Sequence, residues 1–151
     1  MSVHYVIDKE RKLVITIASG RVTFAEMKAH QDQLERDPDF RPEFNQLGDG
    51  AAVTEVDISA DEVRELVGHK VFAQTSRRAW VAPAPAVYGM SRLVSTYQEM
   101  LKARSTISVF YDFPSALKWL GLEALPEAIR PTAEAKKAQV DSPRVGKALS
   151  A

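Results

Sequence analysis

The chain has 151 residues, 45% of them hydrophobic, which is enough for one ordinary domain whose core needs no disulfide or metal staple. Lys plus Arg number 20 and Asp plus Glu number 20, so no net positive field draws the protein toward nucleic acid or an anionic membrane. Cysteine is absent, which excludes disulfides, thiolate nucleophiles and every cysteine-ligated zinc or iron–sulfur site.

Met1-Ser2-Val3-His4 opens without the basic start and apolar run of a secretory signal, and no apolar stretch approaches a membrane span. A cytoplasmic protein, not transmembrane, is the expectation. His4 to Ile7 and Leu13 to Ile17 are β-branched, aromatic-rich runs separated by the charged stretch Asp8 to Lys12, which reads as a hairpin. Gly20 is expected to end the second strand. Thr23-Phe24-Ala25-Glu26 is a capping box with Val22 and Met27 as its staple, and Phe24, Met27 and Leu34 mark one helical face until Asp37-Pro38 stops the helix.

Phe44 to Leu47 begins a third strand, which is expected to break at Gly48-Asp49-Gly50 and resume weakly through Val53. Ser59-Ala60-Asp61-Glu62 repeats the capping box and Ile58 with Val63 repeats the staple, which predicts a helix from Ser59 to Phe72. Ala79 to Ala82 is a short fourth strand. Pro83-Ala84-Pro85 suits a strand-to-helix turn, and a third helix then carries Met90, Leu93, Val94, Tyr97 and Leu101 on one side. Ile107 to Tyr111 is a fifth strand, after which Asp112 caps a short last helix that stops at Gly121.

The order β-β-α-β-α-β-α-β-α predicts an α/β fold with a mostly parallel five-stranded sheet and an antiparallel N-terminal strand. Residues 1–122 form this domain. Residues 123–151 hold three prolines, few large apolar side chains and many alanines and charges, and read as a polar tail or an arm lying on a neighbouring surface.

Leu47-Gly48-Asp49, Val53-Thr54 and Asp57-Ile58-Ser59 together resemble the STAS family of anti-sigma-factor antagonists, of which SpoIIAA is the sporulation member. Asp37-Pro38-Asp39-Phe40 and Phe110-Tyr111-Asp112 are similar to steps in bacterial SpoIIAA-like proteins grouped with STAS and lipid-binding SEC14-type domains. The resemblance implies the same element order over Val3 to Leu122 and places Asp49, Thr54, Asp57 and Ser59 in the register of the family's partner-binding and regulatory turn. Ile58 departs from the pattern. It occupies the first of two serine positions, the one phosphorylated in switching members, so the resemblance implies a regulatory module without the usual phosphorylation switch.

Each of these residues also has a plain structural role. A serine three before a glutamate at a helix start is a cap, and an aspartate between glycines bonds turn backbone. Arg77, Arg78 and Arg92 are a weak candidate anion site near a helix start, against three solvated arginines. His4, His30 and His69 show no mutual metal-ligand spacing, and no metal or cofactor is expected. Gly48-Asp49-Gly50 lacks the Lys-Ser/Thr ending of a phosphate loop, and Gly89-Met90-Ser91-Arg92 lacks the second glycine of a hydrolase elbow.

Two function classes remain. The first is a non-enzymatic module that binds another protein through Asp49 to Ser59, an arrangement that admits a homodimer. The second is a carrier or sensor of an apolar or amphipathic small molecule, as the SEC14-like relation implies, held by Phe72, Trp80, Met90, Leu93 and Tyr97. The competing role for those five residues is ordinary core.

Overall fold

A computed structural model describes residues 2–100 and 106–129. Strands β1 (Val3–Asp8) and β2 (Leu13–Thr23) pair antiparallel from Val3 opposite Ala18 to Asp8 opposite Leu13. In the turn between them Asp8 Oδ1 accepts from the Arg11 amide at 3.0 Å. Helix α1 (Phe24–Arg36), strand β3 (Asn45–Asp57), helix α2 (Ala60–Gly68), strand β4 (Arg77–Val81), helix α3 (Pro85–Met100), strand β5 (Thr106–Phe110) and helix α4 (Phe113–Leu120) follow. This is the expected α/β order.

The sheet order is β1-β2-β3-β4-β5, with every pair after the first parallel. Because the order never reverses, three successive right-handed crossovers deposit α1, α2 and α3 on the same face. The opposite face is covered by α4 and the segment after it. On that second face Leu13, Ile15, Leu47, Ala79 and Val81 of the strands meet Ala116 and Leu120 of α4.

Glycine reads differently in the folded chain than in the sequence. Gly20 does not end β2. It adopts φ +65° between two register shifts in the β2–β3 pairing, and the strand continues so that Arg21, Val22 and Thr23 pair with Glu55, Val56 and Asp57. A left-handed residue is what a bulged strand needs to recover its pairing, and glycine adopts that conformation without steric cost. Nor does Gly48-Asp49-Gly50 break β3. A Cβ at Gly48 would lie 2.3 Å from Trp80 Cδ2, so this glycine makes room for the indole of the neighbouring strand.

The helix caps follow the sequence closely. Thr23 and Ser59 both form reciprocal capping boxes with the glutamate three residues on, and Gly121 closes α4 at φ +76°. Helix α2 is shorter than predicted, because His69 caps it by donating its backbone N–H to Leu66 O. Val71 and Phe72 then leave the α2 stripe and pack with Leu34, Phe40 and Phe44 beneath α1.

The packed body also extends past the expected boundary at Leu122. Ile129 is 0% exposed within the core against α4, with Leu125 and Ala128 beside it. One large apolar residue in an alanine- and charge-rich stretch is easily read as solvated, yet it closes the open end of this core. The rest of the expected tail, from residue 130, lies outside the described residues.

Candidate functional site

Side chains alternate across a strand, so Arg78 and Trp80 on β4 face α1–α3 while Arg77, Ala79 and Val81 face α4. In the sheet Arg78 pairs with Gln46 and Trp80 pairs with Gly48. Trp80 lines both of two adjoining spaces, and Arg78 with Gln46 lines one of them.

The first space is an apolar pocket of about 100 Å³ between α2, α3 and the sheet. Trp80 forms one wall, Met90 and Val87 of α3 another, and Ile58, Val63 and Leu66 of α2 and its approach a third. Every lining residue is apolar. Gly50 belongs to the floor, where a Cβ would crowd Val81 O at 3.1 Å and Val87 at 3.4 Å.

The second space is smaller, about 30 Å³, and its lining mixes polar with apolar side chains. Arg78, Gln46, His30 and His69 line it together with Phe72, over whose ring the Arg78 guanidinium lies at 4.4 Å. Arg78 Nε donates to Gln46 Oε1 at 3.0 Å, and Gln46 Nε2 donates to Thr16 Oγ1 at 2.9 Å. Thr16 Oγ1 also lies 3.1 Å from His30 Nε2, a contact that either imidazole tautomer can make.

His30 is 4% exposed, and its Nδ1 has no hydrogen-bond partner among the described residues. Burial, reinforced by the positive charge of Arg78, pushes the imidazole down to about 4, so it is neutral at neutral pH. Burial also lowers the Arg78 guanidinium to about 10, which leaves it charged. Met27 and Trp80 line both spaces.

The residues singled out from the sequence are partly separated. Asp49 is 1% exposed in the middle of β3, where its Oδ1 accepts from the Ala51 amide at 2.9 Å. It bonds backbone as expected, but within a strand, and it is not on a surface with Thr54, Asp57 and Ser59. Those three are exposed at the end of β3 and the start of α2. Asp57 is ion-paired with Arg21, and the Ser59 hydroxyl accepts from the Glu62 amide at 3.2 Å. Ile58 between them turns its side chain into the apolar pocket.

The three arginines do not converge. Arg77 lies 5.0 Å over the Trp119 ring and donates to Trp119 O on the α4 face, Arg78 is on the other face, and Arg92 donates to the Tyr88 hydroxyl at 3.0 Å. Strand alternation separates the first two, and helix geometry pairs Arg92 with the residue one turn earlier. The expected apolar set also divides. Trp80 and Met90 line the apolar pocket, Trp80 and Phe72 line the second space, and the side chains of Leu93 and Tyr97 lie outside the described residues.

Sequence reasoning missed Gln46 and Arg78 as a buried polar pair. The available signal was a long polar residue two positions from a close-approach residue on each of two adjacent strands, Gln46 with Gly48 and Arg78 with Trp80. It also missed Asp32, Glu35 and His69, whose potential ligand atoms lie within 4.8 Å of one another. There Lys28 Nζ stands 3.2 Å from Asp32 Oδ1 and 3.3 Å from His69 Nδ1, so an ammonium already supplies the positive charge.

No family model matches the sequence, and no curated protein matches it. Among solved structures, the fold is similar to that of an uncharacterized DUF3478-family protein with a SpoIIAA-like fold from Shewanella loihica PV-4. The identity is 18%, the TM-score is 0.52, and the match covers 79% of this chain and 94% of that one. The fold is therefore SpoIIAA-like, as the sequence resemblance implied. Among the described residues no helix is long and apolar enough to cross a membrane.

Proposed function

We propose that this SpoIIAA-like module is a non-enzymatic binding protein whose ligand is a small apolar or amphipathic molecule seated between α2, α3 and the sheet. The observation that carries this reading is the about 100 Å³ pocket with a wholly apolar lining. An apolar cavity of about 150 Å³ suffices to hold benzene, so this pocket, which opens to the surface, has room for part of a small apolar molecule. Trp80 is held flat by Gly48 and supplies a rigid wall, whereas Met27 and Met90 are unbranched and adjust to different occupants. Retention of an apolar molecule by protein purified from its native cells, detected by organic extraction and mass spectrometry, is the expected result. Absence of such a molecule, together with no movement of the Trp80 indole resonance on titration with 1-hexanol, would reject the reading.

A second reading, interaction with another protein, draws on the exposure of Thr54, Asp57 and Ser59 along one continuous stretch. Because the chain has no cysteine, Thr54→Cys creates a unique attachment point for a photo-crosslinker. An adduct with a defined second protein, or with a second copy of the chain, is the expected product. Labelling by solvent alone would remove this reading.

A further inference from the structure

We propose that the outer edge of β1 is an interface between two copies of this chain, which pair β1 with β1 antiparallel about a two-fold axis at Val6 and so continue one sheet into the other. Among the described residues no strand pairs with that edge, since β1 is the first strand of the sheet and bonds to β2 on its other side. Exposed edges are usually blunted by lysine, proline, a bulge or short length. β1 has six residues, Val-His-Tyr-Val-Ile-Asp, with neither lysine nor proline, and its pairing with β2 runs from Val3 to Asp8 without a register shift. Val6, in the middle of this strand, is 46% exposed. Beside it a groove of about 530 Å³ separates Val6, Asp8 and Ile15 from Pro126 and Ala128, so the sheet face is open where a second copy would approach. No residue of β1 lines the apolar pocket, so this surface is independent of the ligand site.

Hydrogen bonding within the subunit restricts the register a second copy can take. The Ser19 amide donates to Ser2 O at 2.8 Å, and with Val3 opposite Ala18 this turns the backbone groups of His4, Val6 and Asp8 toward β2 and those of Tyr5 and Ile7 outward. Centring the axis on Val6 sets Tyr5 opposite Ile7 of the second copy, and the two symmetric pairs each exchange two backbone hydrogen bonds. Val6 meets Val6 of the second copy as a closely spaced, non-hydrogen-bonded pair, which takes both exposed side chains out of water. His4 falls opposite Asp8 of the second copy, a ring N–H donor against a carboxylate. That carboxylate accepts from the Arg11 amide through Oδ1 and lies 3.5 Å from Arg11 Nε through Oδ2, and each oxygen keeps a second lone pair. Centring on Tyr5 would also satisfy the backbone, but it sets His4 against Val6 and loses both side-chain matches. The edge is thus complementary to itself in one register, which favours a second copy over an unrelated strand.

The test uses the full chain, in sedimentation equilibrium and in amide hydrogen exchange followed by NMR. A dimer with protected Tyr5 and Ile7 amides is expected. Val6→Lys sets two ammonium groups against each other at the axis and should give a monomer whose Tyr5 and Ile7 amides exchange at least about tenfold faster. The His4 amide, directed at β2, should stay protected and so report an intact fold. Because the chain has no cysteine, Val6→Cys and His4→Cys each introduce a single thiol. On mild oxidation Val6→Cys should give a disulfide-linked dimer, since directly opposed Cα atoms in such a pair are about 4.5 Å apart. His4→Cys should not, because its counterpart lies four residues along the strand, about 14 Å away. A monomeric wild-type chain would overturn the proposal, and protected Tyr5 and Ile7 amides in that monomer would assign the edge to another part of the same chain. A dimer unaffected by Val6→Lys and not linked through Val6→Cys would move the interface elsewhere. Linking through His4→Cys but not Val6→Cys would reject this register.

Discussion

The indole of Trp80 lies so close to the backbone of Gly48 that a Cβ there would come within 2.3 Å of Cδ2 and 2.4 Å of Cε3. The obstruction is a rigid bicyclic ring held on the paired strand. Gly48→Ala should therefore destabilise the fold by about 1–3 kcal/mol through overpacking. It should also shift the Trp80 indole resonance and weaken 1-hexanol binding, because the same ring forms the pocket wall. Urea unfolding and the hexanol titration measure the two effects, and wild-type values in both would show that the contact does not constrain the site.

The cap at Ser59 is predicted to be structural. Ser59→Ala removes the acceptor for the Glu62 amide and should cost about 1 kcal/mol, while Ser59→Asp keeps an acceptor at the helix start and should retain most of the stability. Equilibrium unfolding of both variants settles the comparison. Loss of partner binding with unchanged stability in the alanine variant would assign the hydroxyl a regulatory role.

Ile58 is half-buried and lines the apolar pocket with Val63, so a hydroxyl at this position would replace part of an apolar wall. Ile58→Ser should weaken the fold by about 1 kcal/mol or more through lost apolar burial. Creation of a site that a kinase modifies, with a change in what the protein binds, would contradict this and restore the phosphorylation switch of the resembling family.

His30 makes stability depend on pH with a defined sign. Its folded value of about 4 lies below the ordinary 6.5, so as pH falls the unfolded chain takes up a proton that the folded chain refuses. The contribution is complete above about pH 6.5 and is lost progressively down to about pH 4, for a total of about 3 kcal/mol. An NMR titration should find the His30 ring neutral below pH 5. A ring that titrates near 6.5 in the folded protein would show that the site is hydrated and remove the pH dependence.

Ile129 is fully buried against the α4 core, so Ile129→Ala should cost about 2–5 kcal/mol. A chain ending at Leu122 should lose more, because Leu125 and Ala128 leave with it. Wild-type unfolding of either variant would return this segment to the role of a dispensable tail.

Much of the fold was legible because its signals are local. The capping boxes at Thr23 and Ser59, the Asp112 and Gly121 boundaries and the alternation of strands with helices each depend on residues within a few positions of one another, and each stands in the structure. The candidate site was legible only in fragments. Trp80 and Met90 share a pocket because parallel pairing and same-face crossovers bring β4 and α3 together. Gly20 and Gly48 looked like strand ends, since a glycine serving a bulge or an approaching indole has the same local signature as one serving a turn. The polar chain from Arg78 to His30 joins three strands and a helix across as many as 32 positions in a single hydrogen bond. Sequence by itself determined which elements form and where the capped helices begin. Tertiary structure alone decided which polar groups lost water together, because desolvation depends on neighbours that only sheet register and crossover handedness bring into contact.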